Sequence, residues 1–133
     1  MAGEVRVPIN TDIDIVAARQ QGRDLAARIG FAGSDLTVIA TAISEVSRNI
    51  VSYATRGELL FHAVEEPTRR GIVVIARDDG PGIGNVDDAL RDGFSTGNSL
   101  GLGLPGARRL MDDFEVVSTV GKGTTITMKK WIR

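Results

Sequence analysis

The sequence predicts an α+β fold, a two-layer arrangement in which about three helices cover one face of a mostly antiparallel, mixed sheet. Three observations predict it. Apolar residues before Gly57 recur at helical 3–4 spacing, whereas after it they form β-rich runs that come in pairs. Glycine is concentrated late in the chain: of the 16 glycines, those at 80, 82, 84, 93, 97, 101, 103, 106, 121 and 123 fall in one stretch, as though the backbone there must approach something closely.

The elements follow in order. Val5-Arg6-Val7-Pro8-Ile9 alternates and reads as an edge strand, where a proline is tolerated. Thr11 or Asp12 caps a helix with Ile15, Ala18, Gly22, Leu25 and Ile29 on one side, ended by Gly30. A second helix starts after Gly33 with Ser34 as its expected N-cap; Leu36, Ile39, Ile43, Val46 and Ile50 form its unbroken apolar stripe. Residues 58–64 and 71–76 read as a hairpin around the turn-like segment 65–70, and the non-alternating Ile72-Val73-Val74-Ile75 suits a central strand. Residues 80–104 are punctuated by glycine, with at most one short helix near 86–91. Pro105 can open a last helix through Leu110 and Met111. Residues 114–119 and 124–132 then form a second hairpin around Gly121-Lys122-Gly123.

Size and composition set bounds on function. With 133 residues, one domain spanning 1–133 is expected. The 42% hydrophobic and 25% charged content is that of a folded globular chain, not a disordered one. A formal charge of −1 with scattered Lys and Arg gives no footprint for nucleic acid. The absence of cysteine excludes disulfides and Cys-ligated zinc. No signal-like or membrane-length apolar segment is visible, so a cytoplasmic protein without membrane contact is expected.

Three segments carry chemistry. Glu45 and Asn49 are i,i+4 on the second helix, roughly 40° apart on the wheel and flanking its apolar stripe. A carboxylate and a carboxamide pointing along one edge can supply a proton acceptor and an oxygen ligand for a hard cation, though such pairs also occur on solvated faces. The run Ile75-Ala76-Arg77-Asp78-Asp79-Gly80-Pro81-Gly82 carries a strand into a turn. Asp78 can accept hydrogen bonds from an exocyclic amine, and Gly80 and Gly82 let the backbone border a planar ring, although a Pro-Gly turn alone could be only a turn. Gly101-Leu102-Gly103-Leu104 directly precedes a helix, where glycine N–H groups make an anion-binding concavity. No Walker or Rossmann motif is present.

Helix Glu-x-x-x-Asn, then Asp-x-Gly-x-Gly, then Gly-x-Gly-Leu, then Gly121-Lys122-Gly123-Thr124 entering a strand, taken in order, resembles the Bergerat-fold (GHKL) ATPases. The joint match covers residues 45–124. With no further domain expected, the chain is similar to the stand-alone branch of serine kinases and anti-sigma factors. The segments Asp14 to Gln20, Thr41 to Ile50, Asp92 to Thr96, Leu104-Pro105-Gly106, Arg109 to Asp112 and Lys130 to Arg133 resemble the RsbT-type serine/threonine-protein kinases of the bacterial stressosome.

The resemblance implies ATP and Mg²⁺ as ligands and assigns roles. Asn49 would ligate Mg²⁺, Glu45 would be the base orienting the attacking hydroxyl, and Asp78 would accept from adenine with Thr124 in support. Gly80 and Gly82 would border the base, while Gly101, Leu102, Gly103 and Leu104 would hold phosphates. It further implies STAS-domain scaffold and antagonist proteins as substrates, and a PP2C-type phosphatase activated when the kinase is released. An anti-sigma factor with kinase activity toward an anti-anti-sigma factor shares the same boxes and is the alternative. Phosphoryl transfer also needs a cation beyond Mg²⁺. Residues 92–104 offer none, which leaves Arg91, Arg108, Arg109, Lys122 or the substrate. Arg48 is a further candidate for phosphate or partner contact, but its wheel position is read as pointing away from Glu45. His62 and Trp131 are read as surface and packing residues.

Overall fold

Strand β1 (Val5–Ile9) opens the chain at one edge of the sheet, and helices α1 (Asp12–Ile29) and α2 (Ser34–Tyr53) follow it. Strands β2 (Gly57–Glu66) and β3 (Arg69–Asp78) come next; α3 (Gly103–Leu110), β4 (Asp113–Thr119) and β5 (Gly123–Trp131) complete the order. The computed structural model describes residues 4–54, 56–82 and 103–133. The expected short helix near 86–91 lies outside the described residues.

The strand order is β1-β2-β3-β5-β4. All four ladders are antiparallel. The expected mixed character is therefore not found among the described residues, because each described strand pairs with its neighbour by a hairpin or an opposed return. Pro8 stands opposite Glu58 in β1, which has a partner on one side only, so its missing N–H removes nothing from a central ladder.

Both hairpins are tighter than the turn residues suggested. Glu66 pairs with Arg69, leaving Pro67 and Thr68 as the connection, and a 2.8 Å Arg69–Glu66 ion pair spans it. At the other hairpin Thr119 pairs with Gly123. Ladder hydrogen bonds are made by backbone, so polar side chains at 65, 66, 69 and 70 did not stop the strands.

Alternation along the strands explains the core. Val7, Ile9, Leu59, Phe61, Ile72, Val74, Ala76, Ile126 and Met128 share one face and are buried. They join Ala18, Leu25, Ala26 and Ile29 of α1 and Ile39, Ala42, Ile43, Val46 and Ile50 of α2 in one apolar cluster. On the opposite face Trp131 is buried beneath the Arg69 guanidinium, 3.7 Å from its ring centroid, a cation–π contact. His62 lies on that face, 38% exposed and 3.9 Å from Glu4, which agrees with a surface role.

Helix ends follow local chemistry. The Asp14 carboxylate accepts the N–H groups of Asn10 (2.7 Å) and Thr11 (3.0 Å), which caps α1. Gly30, at φ 126°, ends it by donating to Ala26 O. Ser34 is not the cap of α2: Gly33 takes that position and Ser34 is the first helical residue. Gly33 has φ 61°, a left-handed conformation that favours glycine over serine.

Gly22 sets the spacing of α1 on α2, since an added Cβ would fall 2.2 Å from Ile43 Cδ1 and 3.4 Å from the Phe61 ring. Gly22→Val is expected to cost about 1–3 kcal/mol through overpacking. Paired with Ile43→Val it should cost less than the sum of the two single changes, as read by denaturant melts.

Asp112 ties the end of α3 to the far strand: it accepts the Trp131 N–H at 2.8 Å and pairs with Arg133. Burial acts to raise its pKa, but the Trp131 N–H, Arg133 and Lys130 outweigh that and hold it below the ordinary 3.8. A carboxyl lowered on folding stabilises the native state above its unfolded value and loses that contribution as pH falls through the folded one. Asp112→Asn is therefore expected to lower the melting temperature at pH about 7, with the difference from the native chain shrinking below about pH 4.

Candidate functional site

Helix α2 presents the site. Its stripe Ile39, Ile43, Val46 and Ile50 is buried, which turns Glu45, Arg48 and Asn49 toward the edge shared with α3. Glu45 is itself only 6% exposed. A carboxylate so placed needs partners for both oxygens, and it has them: Oε1 accepts the Gly103 N–H at 2.8 Å, and Oε2 accepts from Arg48 Nη1 at 2.7 Å. Gly103 is the first residue of α3, so the carboxylate meets an otherwise unpartnered donor at the positive end of a helix. Among the described residues no buried side-chain nitrogen or oxygen lacks a partner.

This corrects the reading of Arg48 as pointing away from Glu45. At i,i+3 it lies roughly 60° from Glu45 on the wheel, on the side opposite Asn49, and neighbouring turns bring such residues together. Glu45, Arg48, Asn49, Tyr53, Gly103 and Leu104 line a gap of about 10 Å³.

A second group forms where β3 ends and β5 begins. Asp78 stands opposite Gly57 on one side and Thr124 on the other. Its Oδ1 accepts the Gly80 N–H at 2.9 Å. Burial raises the Asp78 pKa above 3.8, helped by the neighbouring Asp79 charge and opposed by the N–H groups of Gly80 and Thr124. Thr124 is buried, and its hydroxyl lies 2.8 Å from Ser118 Oγ. Gly123, at φ 105°, brings its backbone so close that a Cβ would lie 2.0 Å from Asp78 O. An open cavity of about 550 Å³ reaches this group, with Asp78, Thr124, Arg77, Glu58 and Lys122 among its walls; Glu45 and Asn49 do not line it.

The structure thus gathers the expected residues into two clusters, Glu45–Asn49–Gly103–Leu104 and Asp78–Gly80–Thr124. Gly80 of the second cluster packs against the C-terminal end of α2, where a Cβ would fall 2.6 Å from Ala54 Cβ. Gly82 lies against the second hairpin, where a Cβ would be 2.5 Å from Thr119 O. Gly101 and Leu102, like Arg91, lie outside the described residues. Sequence reasoning missed Arg48 as the partner of Glu45, and Ser118 and Gly123 as supports of Thr124 and Asp78. The i,i+3 spacing signalled the first, and pairing 119 with 123 across the second hairpin would have placed 118 opposite 124.

The chain is similar to known proteins. The histidine kinase-like ATPase domain family matches residues 9–130. The serine/threonine-protein kinase RsbT of Bacillus subtilis is 48% identical over 127 residues, 96% of each chain. The anti-sigma F factor of Geobacillus thermodenitrificans is 35% identical over 105 residues, 74% of this chain and 70% of that protein. The crystal structure of the RsbU and RsbW domains of a Mycobacterium tuberculosis protein superposes with a TM-score of 0.66 at 20% identity, over 99% of this chain and 34% of that one; at that identity the likeness establishes the fold.

Asp78 carries a testable electrostatic signature. A carboxyl raised on folding destabilises the native state while ionised, and that cost fades as pH falls through the folded value toward the unfolded one. Asp78→Asn is therefore expected to melt higher than the native chain at pH about 7. The difference should narrow toward pH about 4; a lower melting temperature at neutral pH would contradict the assignment.

Proposed function

We propose, from the premise that this chain belongs to the histidine kinase-like ATPase domain family and is a partner-switching serine/threonine-protein kinase, that its substrates are STAS-domain scaffold and antagonist proteins. Once released from them, it binds and activates a PP2C-type phosphatase in the cytoplasm. One observation carries the choice within the family: similarity to the RsbT kinase extends over 96% of both chains at 48% identity. The anti-sigma F factor match covers 74% of this chain at 35%.

The residues fit the chemistry. Asp78 is a carboxylate with several acceptor positions, suited to the adenine amino group, with Thr124 supporting it and Gly80 and Gly82 bordering the base. The Asn49 carboxamide offers one oxygen to Mg²⁺, a cation that takes few protein ligands and completes its shell with phosphates and water. Held there, Mg²⁺ would supply positive charge against the transferring phosphate. Gly101, Leu102 and Leu104 would hold the phosphates through their N–H groups, while the Gly103 N–H is taken by Glu45 Oε1. Glu45 orients the acceptor hydroxyl and takes its proton.

Residue roles separate in two measurements. Asn49→Ala is expected to abolish Mg·ATP binding by calorimetry. Glu45→Ala should bind ATP normally yet lose about 10²–10⁴-fold in transfer of γ-labelled phosphate to a purified STAS-domain protein. Normal ATP affinity in Asn49→Ala would overturn the metal assignment. Retention by a sigma factor in a pull-down, without transfer to the STAS-domain protein, would favour the anti-sigma reading.

A further inference from the structure

Glu45 is served by two different donors, one on each carboxylate oxygen. The Gly103 N–H holds Oε1 at 2.8 Å and Arg48 Nη1 holds Oε2 at 2.7 Å. Arg48 is 38% exposed while Glu45 is 6% exposed, so the guanidinium reaches a buried carboxylate from the open edge of α2. We propose that Arg48 is a positioning residue for Glu45 in phosphoryl transfer, holding Oε2 so that Oε1 is the oxygen that meets the substrate hydroxyl. The inference rests on the kinase reading above and adds to it the residue that sets the geometry of the base.

The physical case has three parts. A glutamate side chain has three torsions, and the last is broad and roughly two-fold; a charge-assisted bond to one oxygen removes the freedom that would exchange the two. Small errors of orientation at a reacting group cost large factors in rate. The second part is charge. A bare carboxylate beside a triphosphate is repelled by it, whereas the paired Glu45–Arg48 unit is neutral overall. The third is capacity. Each carboxylate oxygen has two acceptor positions, so Oε1 can receive a hydroxyl without giving up the Gly103 N–H. In the transfer itself the hydroxyl oxygen bonds to the γ-phosphorus and the bond from that phosphorus to the bridging oxygen breaks. ADP leaves, and the hydroxyl proton passes to Oε1. Arg48 touches none of the reacting atoms.

The test is a double-mutant cycle read as single-turnover transfer from ATP to a STAS-domain protein. Arg48→Ala is expected to lower kcat about 10–100-fold with KM for ATP changed less than about threefold. Arg48→Lys, which keeps a cation but not the planar fork, should restore a large part of the loss. In a Glu45→Gln chain, adding Arg48→Ala should cost no more than about twofold further, because a residue acting through another has nothing left to act on. A further tenfold loss in the double mutant, or a raised KM at unchanged kcat, would mean that Arg48 acts on the phosphates directly and would overturn the inference. An unchanged kcat with a lowered melting temperature would reduce Arg48 to a structural ion pair and overturn it equally. A native chain that transfers nothing to the STAS-domain protein removes the proposed reaction and this inference together; only the other outcomes strike the inference alone.

Discussion

The burial of one face of α2 is the constraint on which the rest depends. Ile39, Ala42, Ile43, Val46 and Ile50 all sit at 0–1% exposure, between α1 and the inner face of the sheet. That packing leaves the helix no rotational freedom, since a turn of roughly 100° would drive a charged residue into the core. Glu45, Arg48 and Asn49 therefore take their directions from apolar contacts they do not make. Gly22 contributes from the other side: by letting α1 approach, it seats Ile43 and holds the whole helix down.

Three carboxylates in this chain sit in different electrostatic surroundings. Asp112 is a fastener, surrounded by Trp131, Arg133 and Lys130, and its ionised form is favoured. Asp78 is partly buried beside another acid, and its ionised form is disfavoured in spite of two backbone donors. Glu45 is the most buried of the three residues and has one donor for each oxygen. Stability is drawn from the fastener, whereas Asp78 is kept at some expense.

Much of this was legible in the chain. Unbroken 3–4 spacing identified both long helices, and the change of period after Gly57 identified both hairpins. The order of Glu45, Asn49, Asp78, Gly103 and Thr124 was enough to suggest a nucleotide site, although each alone has an ordinary explanation. The misreadings have separate causes. Ser34 has the better capping side chain, yet Gly33 caps α2, because the backbone there adopts φ 61°. The strands of the first hairpin ran on through polar residues because ladder bonds ignore side chains. Arg48 was set aside on wheel position, when i,i+3 neighbours touch if one of them is buried and needs a counter-charge.

The sequence by itself determined which residues are apolar, at what period, and in what order the chemistry-bearing groups occur; these are local properties, carried by spacing along one chain. Only the tertiary structure decided who partners whom. Asp78 reaches Thr124 across a ladder between strands 46 residues apart in sequence (124 − 78 = 46). Glu45 meets the Gly103 N–H across a separation of 58. Partners at that distance are chosen by the collapse of a shared core and by the unmet demand of a buried charge, and neither is written at any one position of the chain.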